Sequence, residues 1–119
     1  IHTAANNPVV VAKQVATMDQ IGNGRAGLNI VAGWNKPEYE ALGLTLPDDH
    51  ETRYGYAQEW FDIVQKLWTS EEYFDWEGKY FNLKHVAGDP KPADLECGRL
   101  GDGPRLCDRQ RRLSLYACH

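Results

Sequence analysis

The sequence predicts an α/β fold, and three observations carry that expectation. Apolar residues recur at helical spacing from Val11 to Ile21, with Asn7-Pro8 before them and Gly22-Asn23-Gly24 after. An apolar run at 26–32 follows at once, bounded by glycine and too short for a helix. A second stripe of helical period fills 51–68.

Taken in order, Ile1 to Ala5 reads as the last turn of a strand. Asn7 is placed to cap a helix by accepting an orphan backbone N–H, and Pro8 sits at the first helical position, where its missing donor costs nothing. Val11, Ala12, Val15, Met18 and Ile21 are the expected buried stripe; Lys13, Gln14 and Gln20 face away. Gly22-Asn23-Gly24 supplies a left-handed stop. Strand end, helix, turn and strand make a β-α-β unit, which implies parallel strands. A longer polar and aromatic connection passes Pro37, Gly43 and Pro47. Asp48, with Glu51 three residues later, resembles a capping box and predicts a helix over 51–68. Its stripe is Tyr54, Ala57, Phe61, Val64 and Trp68, widened by Trp60, Ile63 and Leu67. Alternating aromatic and polar residues from Tyr73 to Leu83, around Glu77-Gly78, predict a β-hairpin.

Such a chain cannot close its own sheet, so the segment reads as the middle of something larger. An eight-stranded α/β barrel takes about 250 residues, and 1–93 would be well under half of one. The opening at Ile1, without methionine, is read as a missing beginning.

Composition narrows the function. A hydrophobic fraction of 42% suits a packed core, and a net charge of −4 gives no electrostatic reason to expect nucleic acid or an anionic membrane. The apolar run Val9-Val10-Val11-Ala12 falls far short of the ~20 residues of a membrane span, and the opening residues do not read as a signal peptide. The expectation is a soluble, cytoplasmic protein. Residue types shift abruptly at Ala93-Asp94. Residues 94–119 hold Arg99, Arg105, Arg109, Arg111 and Arg112, all three cysteines (Cys97, Cys107, Cys118), and no lysine, Val, Ile, Phe, Trp or Met. Two domains are therefore expected: a folded 1–93 and an Arg/Cys-containing, unstructured, non-native or out-of-frame tail at 94–119. Without a C-x-x-C pair, and with an odd cysteine count, neither a metal site nor a disulfide framework is expected.

Nucleophile motifs and phosphate loops are missing: Gly22-x-Gly24 ends a helix before a strand, the reverse of a dinucleotide fingerprint. His2, His50 and His85 lack ligand spacing and read as surface or loop residues. The unusual polar residue is Asn29, between Leu28 and Ile30 in a strand read as buried. It either bonds a neighbouring loop or bonds a ligand. Just past it, Gly33-Trp34-Asn35-Lys36-Pro37-Glu38-Tyr39 stands where barrel enzymes place their sites.

Here the residues carry a resemblance. The segment P-V-V-V-A-K-Q-V-A-T-M-D-Q-I-G-N-G-R at 8–25, then A-G-L-N-I-V-A-G-W-N-K-P-E-Y at 26–39, then Arg53-Tyr54, resembles the bacterial luciferase-like monooxygenase family over roughly 1–92. It is most similar to the two-component branch that includes pyrimidine, alkanesulfonate and dimethyl-sulfone enzymes. The resemblance implies a fragment of a (β/α)8 TIM barrel from an enzyme that uses reduced FMN and O2 on a small organic substrate. A separate NAD(P)H-dependent flavin reductase would supply the FMN, and the full-length form would be a homo-oligomer. It also implies that Asn29, Glu38, Arg53 and Tyr54 contact the flavin. The family's N-terminal strands and its small-residue phosphate turn have no counterpart here, so the short chain alone is expected to be inactive. Two alternatives stay open: a deazaflavin-dependent reductase on the same barrel, or a non-catalytic remnant that binds protein surfaces through exposed Trp34, Trp60, Trp68 and Trp76.

Overall fold

The computed structural model describes residues 1–88 and the strand at 115–118. After a 3-10 turn at Thr3–Ala5 come α1 (Pro8–Ile21), β1 (Leu28–Val31), α2 (Lys36–Ala41), α3 (His50–Thr69), β2 (Phe74–Glu77), β3 (Asn82–Val86) and β4 (Leu115–Cys118).

Helix α1 starts as its sequence dictates. The Asn7 side chain accepts from Val9 N at 2.9 Å and Val10 N at 3.3 Å, and Pro8 opens the helix. Its buried face differs from the expected one. Pro8, Val11, Ala12, Val15, Ala16 and Asp19 turn inward, while Met18 is 53% and Ile21 82% exposed. A spacing of four from Val11 continues through Val15 to Asp19, and the Asp19 carboxylate earns its interior place by accepting from Ala26 N at 3.2 Å. That bond ties the end of α1 to the approach of β1. The helix stop lies in the expected Gly22-Asn23-Gly24 run, where Asn23 (φ 54°) and Gly24 (φ 76°) take the left-handed conformations.

The β-α-β unit is parallel. His2 bridges Val31 in parallel, with Val31 N donating to Ile1 O at 2.8 Å. On the other edge of β1 lies β4, also parallel, with Leu28 opposite Leu115 and Val31 opposite Cys118. This corrects the expectation of an unstructured tail for four residues. A bare strand edge presents unpaired N–H and C=O groups, and any extended segment that reaches it satisfies them. The rest of that tail, 94–114 and 119, lies outside the described residues.

Helices α1 and α3 cover one face of β1 and run parallel to each other. Trp60 Nε1 donates to Asn6 O at 2.8 Å and, two turns on, Trp68 Nε1 donates to Ala12 O at 3.0 Å. Leu28 and Ile30 of β1 join Val11, Val15, Phe61, Ile63, Val64 and Leu67 in the core. Trp60 is 0% and Trp68 3% exposed, which removes both from the protein-binding surface expected of a remnant; Trp76 is half-buried and Trp34, 77% exposed, faces solvent.

The expected hairpin is β2–β3, antiparallel, with an irregular register between Phe74 and Trp76. It is fixed to α3 by one carboxylate: Glu59 accepts from Tyr80 N at 2.7 Å and from Trp76 Nε1 at 3.3 Å. Gly78 lies in that turn because a Cβ there would run into the Glu59 carboxylate. Tyr56 packs on Tyr80 and Phe81, and Lys66 stands 4.5 Å over the Phe74 ring.

The cap of α3 is Asp49, one residue later than expected. Its carboxylate accepts from Thr52 N at 3.0 Å, Thr52 Oγ1 at 2.7 Å and Glu51 N at 3.3 Å, while Asp48 pairs with Lys36. These bonds, that from the Thr52 hydroxyl foremost, hold the Asp49 carboxyl below its ordinary value of 3.8. A lowered folded value means the contribution is present above the ordinary value and is lost as pH falls through the lowered one. Thermal melts of the chain and of Asp49→Asn should therefore differ at neutral pH and converge in acid. A gap that persists at low pH would refute the assignment.

Among the described residues no helix is long and apolar enough to cross a membrane, and no group of three or more His, Cys, Asp or Glu could hold a metal ion.

Candidate functional site

Parallel strands with parallel covering helices put both helix starts at one end of the sheet, the end where β1 finishes. Four residues link Val31 to α2, and Gly33 among them has φ +100°, a conformation that L side chains rarely adopt. A Cβ on Gly33 would strike the Tyr39 hydroxyl and lie 3.1 Å from Leu46. Glycine thus lets the Tyr39 ring, 1% exposed, press against the backbone at the end of β1. Burial, and then the Glu38 carboxylate, raise the Tyr39 phenol above its ordinary value.

The start of α3 joins the same place. Lys36 at the head of α2 pairs with Asp48, and Arg53 Nη1 donates to Pro47 O at 3.0 Å and to Asp48 O at 3.3 Å. Arg53 Nε is buried without a partner, so one donor of the guanidinium has no acceptor. Tyr54, half-buried, stacks on His50 with centroids 4.2 Å apart and planes at 27°.

The four residues singled out from the sequence sit on three elements, β1, α2 and α3. Arg53 and Tyr54 share the opening turns of α3. Glu38 is in the first turn of α2 and exposed. Asn29 is on β1, but its side chain is exposed, not buried as expected. The burial along β1 alternates: Leu28 and Ile30 point into the helical layer, so Asn29 points to the opposite face. The run looked buried on both sides because its other-face neighbours Gly27 and Val31 carry no polar signal.

One contributor escaped the sequence reading, and another sits on an element that it missed. His2, read as a surface or loop residue, is half-buried and has its Nδ1 2.7 Å from the Tyr39 hydroxyl. Tyr39 itself belongs to a short helix, α2, where only a connection was expected. His50 and His85 are exposed as expected, the latter stacked on Tyr73 with centroids 4.2 Å apart.

Chemically, β1, α2, the start of α3 and the loop that follows β1 offer a carboxamide, a carboxylate, a cation with a spare donor, a phenol and an exposed indole. That set can bind and orient a polar aromatic ligand that carries acceptors and hydroxyls. It contains no paired nucleophile and base.

Comparison with known proteins gives a consistent picture. Residues 1–102 match the family described as luciferase-like monooxygenase. The chain is 40% identical over 91 residues to the pyrimidine monooxygenase RutA of Serratia proteamaculans (strain 568), a match covering 75% of this chain and 25% of that protein. It is 40% identical over 99 residues to the RutA protein of Bradyrhizobium sp. (strain BTAi1), covering 82% and 27%. Among solved structures, an F420-dependent secondary alcohol dehydrogenase in complex with an F420-acetone adduct superposes with a TM-score of 0.67 at 30% identity, covering 75% of this chain and 26% of that one. The EDTA monooxygenase of Chelativorans sp. BNC1 superposes with a TM-score of 0.63 at 26% identity, covering 70% and 24%. The chain thus spans about a quarter of the length of the curated relatives it matches.

Proposed function

The chain belongs to the luciferase-like monooxygenase family, and on that premise we propose that residues 1–93 form one flavin-contacting part of an FMNH2- and O2-dependent monooxygenase acting on a small organic substrate. The observation that carries this reading is the junction that follows β1, where Lys36 of α2 pairs with Asp48, Arg53 of α3 donates to Pro47 O and Asp48 O, and the Arg53 Nε stays buried without an acceptor. The donor set fits the group. The Arg53 guanidinium, with its buried, unpaired Nε, suits an anionic or carbonyl acceptor. Glu38 accepts from hydroxyls, and the Asn29 amide both donates and accepts on the face away from the helices. When bound, the reduced flavin supplies the electrons for oxygen activation. What these residues do is bind it, orient it and set the charge around it. A separate NAD(P)H-dependent reductase would deliver the flavin, and the rest of the barrel would close the substrate pocket.

Titration of FMN with this chain, followed by quenching of flavin fluorescence, tests the reading. Binding in the micromolar range is expected. Because the Asn29 side chain is exposed, Asn29→Leu should weaken that binding by about 1 kcal/mol, one hydrogen bond, and leave the melting temperature alone. A folded chain that does not quench FMN, or an unchanged dissociation constant in the variant, would refute it. The likeness to an F420-dependent dehydrogenase supports a second reading, in which the same residues hold a deazaflavin. Preferential binding of F420 over FMN in the same titration would favour it.

A further inference from the structure

We propose that His2 is a positioning residue, whose bond to the Tyr39 hydroxyl pins α2 to the end of β1 and so sets where Glu38 stands. The relevance to flavin rests on the reading of Glu38 given above; the pin itself does not.

Helix α2 cannot hold its own place. It is six residues long, Asn35 gives it no side-chain cap, and helices of that length are unstable alone in water. Its pairing with Asp48 joins side chains 47% and 83% exposed, a kind of contact that contributes little. Within α2, Tyr39 is the buried residue, and its carbonyl accepts from Leu42 N at 3.0 Å and Leu44 N at 2.9 Å, closing the helix. The whole element therefore hangs on one ring. That ring is seated against Gly33, and its hydroxyl meets His2 Nδ1 at 2.7 Å. With the imidazole neutral and its proton on Nε2, the hydroxyl donates.

His2 can act as the fixed end because its backbone is held twice. It bridges Val31 in the sheet, and its carbonyl accepts from Asn6 Nδ2 at 2.8 Å and Ala5 N at 3.2 Å. A residue bridged to β1 thus reaches 37 positions along the chain to place a short, weakly held helix. Glu38, adjacent to Tyr39 on α2 and exposed, takes its position from that contact.

Amide exchange on the 119-residue chain tests the pin. His2→Phe and Tyr39→Phe should each speed exchange of the Leu42 and Leu44 amides by about three- to tenfold, one hydrogen bond's worth. The double variant should be no faster than either single one. His2→Asn, which places an amide where Nδ1 stood, should restore slow exchange. Amides of α1 and α3 serve as the folding control, and if His2→Phe loosens them, Tyr39→Phe, which keeps the ring, carries the comparison with His2→Asn. Additive single effects, or no rescue by Asn, would overturn the proposal. In the FMN titration, His2→Phe should weaken binding severalfold, with Glu38→Gln adding nothing to it. Coupled exchange in a chain that binds no FMN would remove the flavin reading alone; FMN binding with uncoupled exchange would remove the pin alone.

Discussion

Replacing Trp60 with alanine is expected to cost about 3–5 kcal/mol, the range for emptying an aromatic site in a core. The indole is 0% exposed, and its Nε1 donates to the Asn6 carbonyl at 2.8 Å. The substitution therefore opens a cavity between α1 and α3 and also orphans the carbonyl that leads into the α1 cap. Small domains hold about 5–15 kcal/mol in all, so a loss of this size is a large share of the total and should lower the urea midpoint sharply. Two comparisons isolate the cause. Trp60→Phe keeps an aromatic ring in the site but loses the donor, and should fall between wild type and alanine. Trp34→Ala, at a side chain 77% exposed, should stay within about 0.5 kcal/mol. Urea melts of all three decide it. A Trp60→Ala variant as stable as Trp34→Ala would mean that the α1–α3 layer is not packed around this residue.

Much of that layer was legible in the sequence, because its signals are local. Asn7-Pro8 at a helix start has one physical meaning, and the stripe from Ala57 to Trp68 on α3 is buried as its spacing predicts. The departures arise where a long-range partner decides. Met18 fits the apolar pattern better than Asp19, yet Asp19 is interior because Ala26 N needs an acceptor there. Asp48 and Asp49 are equivalent in sequence; Lys36 engages the first and leaves the second to cap α3. The four site residues were singled out through family resemblance, and the structure adds the elements that carry them, β1, α2 and the start of α3. The contact between His2 and Tyr39 lay beyond any local reading, since neither residue has a pattern that names the other. The burial of Asn29 was misread for a simpler reason: a strand with one polar residue among apolar ones hides its period of two.

Deleting residues 115–119 is expected to destabilise the chain by about 2–5 kcal/mol, several backbone hydrogen bonds at about 0.5–1.5 kcal/mol each. Composition argues the opposite, since the segment from 94 onward carries no periodic apolar pattern and its loss would then change little. Strand pairing, however, needs only an extended backbone in register. β4 pairs with all four residues of β1, whereas the other edge of β1 has the single bridge to His2. Without β4, the N–H and C=O groups along one side of β1 return to water, and the strand that carries Asn29 is held by one neighbour. The loss should thus show twice, as a lower melting temperature and as faster amide exchange in β1, with α3 exchange following the global change only. A chain with 115–118 replaced by Gly-Ser-Gly-Ser keeps its length and should lose part of the same stability, because glycine pairs poorly in strands. If both variants melt with wild type and β1 exchange is unmoved, β1 stands without β4, and residues 94–119 have the passive role their composition suggests.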